Sequence, residues 1–442
     1  MSLVSNTGTL TVTDNNWPLQ VNGRNLQRPD GTPFLITGET MWDLMVSSPS
    51  LSQIDAYIAD RQAKGFNAVM VMLIDRWINF PPDNPNGTNI NGDAPFTTTP
   101  WLVPANINPA YWSYTDSIMA KFRAANMLVL LAGCYSGYGP TNHGEGWWNY
   151  LTSNSVANTW GQWVGARYNA TDWPNIIWVG GGDYTPANST EDTLSENIQT
   201  GIVAGGGTQL QTYHTARYTT AMAHWGTGKS WLKVGDVYCD IGTTNGSPYT
   251  IPEMSVVEYN RGTPTFLIED WYTEDHGLTY TQNINEKYQA LLSGCTSGAL
   301  FANVTIWQWL SGYQAQWGND ESVGFGKAGQ LLRMYDWWNR VPRQDSSFIS
   351  SSLGAQGPDR ICPCIGTYSG GNYALVSIPT ATSVTVVMTN FSQSSVRARW
   401  YDPKTGNFTN VTGQPFANTG SRTIAHPGNN SMGTSLQILV MD

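Results

Sequence analysis

Residues 173–183, WPNIIWVGGGD, decide the fold. Ile176, Ile177, Trp178 and Val179 form a short apolar run between a Pro-Asn start and three glycines. Such a run reads as a strand buried on both faces, as in a parallel sheet wrapped by helices. The glycines let backbone and ligand approach closely. One acid, Asp183, follows them. A carboxylate at the C-terminal end of a buried parallel strand holds a favoured catalytic position in barrel enzymes. The plainer reading is an aspartate that caps the next helix.

A second acid in the same relation to another strand tips that balance. Residues 263–270, TPTFLIED, are another apolar run closing on acids, with Glu269 first and Asp270, Trp271 and Tyr272 behind it. Two carboxylates at one mouth are the minimum equipment for hydrolysing a glycosidic bond: one donates a proton to the leaving oxygen, the other attacks the anomeric carbon or activates a water. Trp271 and Tyr272 offer flat faces for sugar rings.

The same alternation recurs outward from these runs. Strands are expected at 34–38, 67–73, 127–132, 175–179, 209–213, 231–237, 265–268 and 299–301. Helices are expected at 51–64, 109–125, 155–168, 191–204, 251–261 and 280–292, with a closing helix at 329–340. Eight strands alternating with helices predict an α/β protein, a (β/α)8 TIM barrel over residues 34–344. The alternative, a doubly wound open sheet, lacks a Gly-x-Gly-x-x-Gly fingerprint after its first strand. Residues 1–33, with Leu10 and Val12 alternating and a turn at Pro29-Asp30-Gly31, read as a lead-in packing on the barrel. A long loop rich in Pro, Asn, Gly and Thr is expected over 75–108, a length that usually carries function. Beyond a Ser-rich joint at 346–352, short alternating runs at 373–378, 383–388, 396–401 and 435–440 predict a small antiparallel β-sandwich over 345–442.

The totals fit this reading. A chain of 442 residues with 40% hydrophobic content can bury a large core. No run approaches the roughly 18–20 apolar residues of a membrane helix, so no membrane partner is expected. A net charge of −10 with 22 Lys+Arg argues against nucleic acid. Twenty Trp and 21 Tyr among 12% charged residues suit a carbohydrate-active, secreted or periplasmic protein. The opening Met1-Ser2-Leu3 reads as a start added for expression, with a native leader removed. Of five cysteines, Cys134, Cys239 and Cys295 lie in apolar stretches and read as buried thiols. Cys362-Pro-Cys364 is too close for an ordinary disulfide and lacks zinc-knuckle spacing.

If the barrel holds, the residues just after each strand meet at one face. They are Glu39, Trp42 and Asp43; Asp75, Arg76 and Trp77; Tyr135 and Tyr138, with His143, Trp147 and Trp148 further on; Asp183 and Tyr184; His214; Tyr238 and Asp240; Glu269 and Trp271; and Trp307, Gln308 and Trp309. Acids and aromatics dominate, which suits a neutral polyhydroxyl ligand. A phosphorylated ligand would want Lys, Arg or a glycine-rich anion nest. Glu39 is expected to face the ligand, because a buried unpaired carboxylate is costly. His214 reads either as a core histidine or as a substrate hydrogen-bonder. Trp147-Trp148 reads as packing at a helix start rather than a sugar platform. His143, Glu145, His224 and His276 do not make a zinc spacing, and no Gly-x-Ser-x-Gly elbow is present. Neither metal nor cofactor is expected.

These residues resemble a known family. FLITGETMWDL at 34–44 is similar to the first strand of the apiosidase-like glycoside hydrolases, glycoside hydrolase family 140 and relatives, which read Leu-Gly-Asp-Thr-Ala-Trp-Glu-Leu. Gly38, Thr40, Trp42 and Leu44 match, while Glu39 replaces Asp and Asp43 replaces Glu. Ala63-Lys64-Gly65-Phe66-Asn67, Asn175-Ile176-Ile177-Trp178 with Gly181-Gly182-Asp183, and Thr212-Tyr213-His214 resemble the same family. Residues 400–406, WYDPKTG, are similar to the signature of the β-sandwich that follows such barrels, a module named for collagen binding. The resemblance implies a retaining-type hydrolase with its acid/base on strand four and its nucleophile on strand seven, here Asp183 and Glu269. The chain departs at strand seven: Ile268-Glu269-Asp270-Trp271-Tyr272 stands where members show Gly-Glu-Pro and then Tyr-Glu. That alters the wall beside the nucleophile and bears on apiose specificity more than on the chemistry.

The expected activity is glycoside hydrolysis of a plant-type, pectic or related glycan, an oligo- or polysaccharide. Asp183 and Glu269 are the catalytic pair. Glu39, Trp42, Asp75, His214, Trp271, Tyr272, Gln308 and Trp309 are the expected sugar-binding residues. A retaining enzyme needs carboxyl groups about 5–5.5 Å apart and an inverting one roughly 6.5–9.5 Å. The competing reading is a non-catalytic glycan-binding protein on a barrel scaffold, and behind it an adhesion protein acting through 345–442. Oligomeric state is not legible.

Overall fold

The computed structural model describes residues 16–47, 50–75, 87–137, 146–239, 251–273 and 279–442. Leu10, Val12, Arg76, Trp77, Tyr138, His143, Glu145, Asp240 and His276 lie outside the described residues, as does part of the expected 75–108 loop.

Eight parallel strands form a nearly closed barrel: β1 (Ile36–Thr40), β2 (Ala68–Met72), β3 (Leu128–Ala132), β4 (Ile176–Gly181), β5 (Gln211–His214), β6 (Gly235–Tyr238), β7 (Thr265–Glu269) and β8 (Gly298–Phe301). Hydrogen bonds run continuously in the order β5-β4-β3-β2-β1-β8-β7-β6. The remaining seam, between β5 and β6, is bridged in parallel at Gln211 and Leu232. Every residue of these strands is buried. That is why they appear in sequence as continuous apolar runs rather than alternating ones.

The helices after the strands are α1 (Leu51–Ala63), α2 (Pro109–Ala124), α3 (Asn154–Arg167), α4 (Ser189–Ala204), α5 (Ala221–Trp225), α6 (Ile251–Arg261), α7 (Tyr280–Ser293) and α8 (Asp320–Leu332). Side-chain caps start many of them. Ser50, Asn108, Ser153, Asn188 and Thr220 each accept from a first-turn amide, and Thr279 with Gln282 forms a full capping box. The closing helix departs from the expected 329–340: it spans Asp320–Leu332, capped by Asn319. Its glycines conceal it in sequence, because glycine lowers helix propensity. They serve close packing instead. A Cβ on Gly326 would lie 2.2 Å from the Lys64 carbonyl, and one on Gly329 2.6 Å from Thr37 Oγ1.

Ahead of the barrel, a three-stranded antiparallel sheet (Gln20–Asn22, Asn25–Gln27, Pro33–Phe34) sets Leu26 opposite Phe34 and joins both, with Trp17, to the barrel core. After the barrel, the chain is all-β and antiparallel. A six-stranded sheet takes in Val341–Pro342, β9 (Cys362–Tyr368), β10 (Gly371–Ile378), Gln437–Met441, Ala398–Tyr401 and Phe408–Asn410. Two-stranded ribbons lie beside it, Ser383–Val387 with Ser421–Ala425 and Ser395–Val396 with Phe416–Ala417. The period of two sorts its faces. Leu375 and Val440 pack toward α7 and the barrel; their neighbours Val376 and Leu439 pack with Val384 and Ile424 of the ribbons. All five cysteines are buried.

Candidate active site

β4 ends by turning sharply outward. Gly181 (φ +71°), Gly182 (φ +100°) and Asp183 (φ +53°) are three successive residues in the left-handed region. A Cβ on Gly182 would lie 2.2 Å from the Tyr135 ring, and one on Gly181 2.4 Å from the His214 carbonyl. Only glycine fits there. Aspartate tolerates φ > 0 better than most residues but still carries strain, of the kind stored at functional sites. The turn is held from β5: the Gly182 amide donates to the His214 carbonyl (3.1 Å) and the Asp183 amide to His214 Nδ1 (2.8 Å).

That second bond fixes the histidine's chemistry. Nδ1 must offer its lone pair to the Asp183 N–H, so the proton sits on Nε2, which donates to Glu269 Oε2 at 2.6 Å. The field of Glu269 raises the basicity of His214, against the opposing effect of burial. Nδ1 also lies 3.2 Å from the Thr215 carbonyl, but the shorter contact, from the Asp183 amide at 2.8 Å, favours the Nε2-protonated tautomer. The other Glu269 oxygen accepts from the Tyr272 hydroxyl at 2.6 Å, and Tyr272 in turn accepts from Trp42 Nε1 at 3.1 Å. Both Glu269 oxygens therefore act as acceptors. A register shift between Leu267 and Glu269 sets Glu269 opposite Tyr238 on β6 and re-aims its side chain.

Asp183 is 7% exposed and Glu269 8%. Burial, then repulsion from Glu269, pushes the Asp183 carboxyl up to about 8; His214, Arg217 and a hydrogen bond from Tyr238 oppose the rise. Arg217 donates to the Tyr238 hydroxyl at 3.1 Å and lies 5.7 Å from the Trp271 ring centroid. The arrangement sets a carboxyl of raised proton affinity near a second carboxyl group that accepts two hydrogen bonds, a pairing that acid-assisted substitution can use.

The structure redistributes the other expected site residues. Glu39, expected to face the ligand, has no exposed surface. It is fully buried, with Arg61 Nε at 2.6 Å and the Tyr57 hydroxyl at 2.5 Å, so the charge is paired inside the wall between β1 and α1. His214 is fully buried and both its nitrogens are engaged within the protein. Trp42 is buried and supports Tyr272, its ring edge-on to Tyr135 and His214. Asp75 is buried against Asp43, whose carboxyl burial and the Asp75 charge push far up. Trp309 is buried against Tyr57 and Tyr313. Trp271, Tyr272 and Gln308 are half-buried. Trp147 is core, packed on Phe96 and Trp101, whereas Trp148 is half-buried against Tyr184, 4.8 Å between centroids. Arg217, in the loop after β5, escapes sequence reading because no pattern marks it. No group of three or more His, Cys, Asp or Glu suited to a metal ion occurs among the described residues.

Residues 20–342 match the family model described as apiosidase-like, catalytic domain. Residues 344–442 match the model "Putative collagen-binding domain of a collagenase". Among solved structures, a glycoside hydrolase is 20% identical, covering 97% of each chain with a TM-score of 0.78. A glycoside hydrolase family 5 protein from Bacteroides vulgatus ATCC 8482 is 19% identical, covering 96% of this chain and 93% of that one, also with a TM-score of 0.78. At these identities the likeness is one of fold. No curated protein matches the chain.

Proposed function

The chain belongs to the apiosidase-like family and is a glycosidase, and on that premise we propose that Asp183 is its acid/base and Glu269 its nucleophile in a retaining cleavage of a pectic or related plant glycan. The observation that carries this reading is the bridge through His214, which ties the Asp183 backbone to the Glu269 carboxylate.

In the first step, protonated Asp183 gives its proton to the glycosidic oxygen as Glu269 attacks the anomeric carbon. Forming the glycosyl ester removes the Glu269 charge. That charge is the second-largest cause of the raised Asp183 value, so its loss turns Asp183 from acid into base for the attacking water. His214 and Tyr272 hold Glu269 in line. Half-buried Trp271 and Gln308 meet the sugar at the mouth. The family name points to apiose-bearing glycans. The run Asp270-Trp271-Tyr272 beside the nucleophile is where this chain sets its own sugar preference. A glycan of that kind is met outside the cytoplasm, and we place the enzyme there. Among the described residues no helix is long and apolar enough to cross a membrane.

The test is a panel of para-nitrophenyl apiofuranoside, para-nitrophenyl arabinofuranoside and pectic oligosaccharides, with products followed by anomeric proton NMR. Retention of configuration, and loss of turnover in Asp183→Ala and Glu269→Ala, are expected. Inversion overturns the nucleophile assignment, and wild-type turnover in either variant removes that residue from its role.

A further inference from the structure

A barrel helix normally shows one face to water. On α7, every residue from Asn283 to Ser293 is buried. Its two sides are joined to different things. On the barrel side, Lys287 forms a fully buried ion pair with Asp270, the residue after Glu269, and Asn283 Nδ2 donates to the Trp271 carbonyl at 3.1 Å. On the far side, Asn285 donates to the Pro358 carbonyl and accepts from Ser377 Oγ, both at 2.8 Å. Gln289 Nε2 donates to the carbonyls of Gly357 (3.1 Å) and Arg360 (3.3 Å). The first two anchors grip the segment that carries Glu269. The others fasten the helix to the C-terminal β region.

We propose that α7 is a positioning strut: Lys287 and Asn283 set the backbone after Glu269, and the C-terminal β region, through Asn285 and Gln289, holds the helix that does so. This assigns that region a role in aligning the reaction. It rests on Glu269 being the nucleophile. A buried ion pair is a weak stabiliser, because apolar residues of the same volume pack as well or better. What it supplies is a fixed geometry at Asp270. Displacing a reacting group by about 1 Å can cost 10²-fold in rate.

The double variant Lys287→Met/Asp270→Asn replaces both charges and leaves neither partner buried as an unpaired ion. In the full chain, on whichever para-nitrophenyl glycoside of the panel turns over fastest, kcat is expected to fall at least tenfold with KM within threefold. The control is Tyr401→Phe, which removes a bond from the C-terminal region to the Lys327 carbonyl of α8; its kcat should stay at the wild-type value. Unchanged kcat in the folded double variant overturns the proposal, as does an equal kcat loss in Tyr401→Phe, which would mean general loosening. Should the double variant not fold, Ser377→Ala is read the same way: a kcat loss at constant KM supports the strut and an unchanged kcat overturns it. Wild-type turnover by Glu269→Gln would instead strike the nucleophile assignment itself.

Discussion

Nε2 of His214 lies 2.6 Å from Oε2 of Glu269, at a histidine with no exposed surface. With both ring nitrogens engaged by the protein, His214 is expected to act through Glu269 rather than on the sugar. A hydrogen bond to a charged group contributes about 1.5–3 kcal/mol, or roughly 10- to 100-fold in rate. His214→Phe is expected to lower kcat by that factor and leave KM near its wild-type value. A KM rise with kcat retained would return His214 to the substrate.

Asp183 gives the pH dependence its sign. If Asp183 is the acid as proposed, activity needs the protonated carboxyl, and kcat/KM should fall as pH rises through about 8. Stability follows the same group. Its folded value lies above the ordinary 3.8, so the folded state holds a proton that the unfolded state has released between those values. Folding is then progressively disfavoured from about pH 4 to pH 8, and the full penalty remains above that window. Asp183→Asn carries no charge at any pH. Its Tm should match wild type near pH 3–4 and exceed it increasingly up to pH 8–9, while activity is lost. A Tm difference independent of pH, measured by calorimetry across that range, would show that Asp183 is not held protonated.

The strands were legible because doubly buried strands are written as apolar runs, and the two carboxyls because each closes such a run. β5 was harder. Gln211–His214 is polar, and its burial rests on side-chain bonds such as Gln211 to the Gln199 carbonyl and Tyr213 to Ser195. Helix α8 was hidden by glycines whose purpose, contact with Lys64 and Thr37, exists only in three dimensions. The position of Arg61 is a readable sign of a buried acid. It falls on the same helical face as Ile54, Tyr57 and Ile58, and an arginine on a buried face calls for a buried acid, which Glu39 supplies. Lys287 left no comparable mark, since its partner Asp270 lies on a strand end rather than on its own helix.

Glu39, paired inside the wall, is therefore expected to serve stability. Removing one partner of a fully buried ion pair typically costs about 3–5 kcal/mol. Glu39→Ala is expected to lose that much in urea unfolding, and Arg61→Met a similar amount, while whatever folded Glu39→Ala remains binds its substrate with an unaltered KM. A specific KM increase without loss of stability would restore Glu39 to the sugar site.

The turn at Gly182 couples backbone geometry to the chemistry most directly. Alanine there meets two obstacles at once: φ at +100° and the Tyr135 ring at 2.2 Å from the new carbon. The ring or the turn must move, and the turn carries Asp183. Gly182→Ala is expected to lower kcat about 10²-fold, as for a roughly 1 Å misplacement of a reacting group. Gly226 separates the two causes. It too has a positive φ, +73°, but nothing lies within 4 Å of its Cβ position. Gly226→Ala should cost a modest amount of Tm from backbone strain and leave kcat unchanged. Equal kcat losses in the two variants would show that strain anywhere in the barrel suffices, and that the Tyr135 contact does not place the acid.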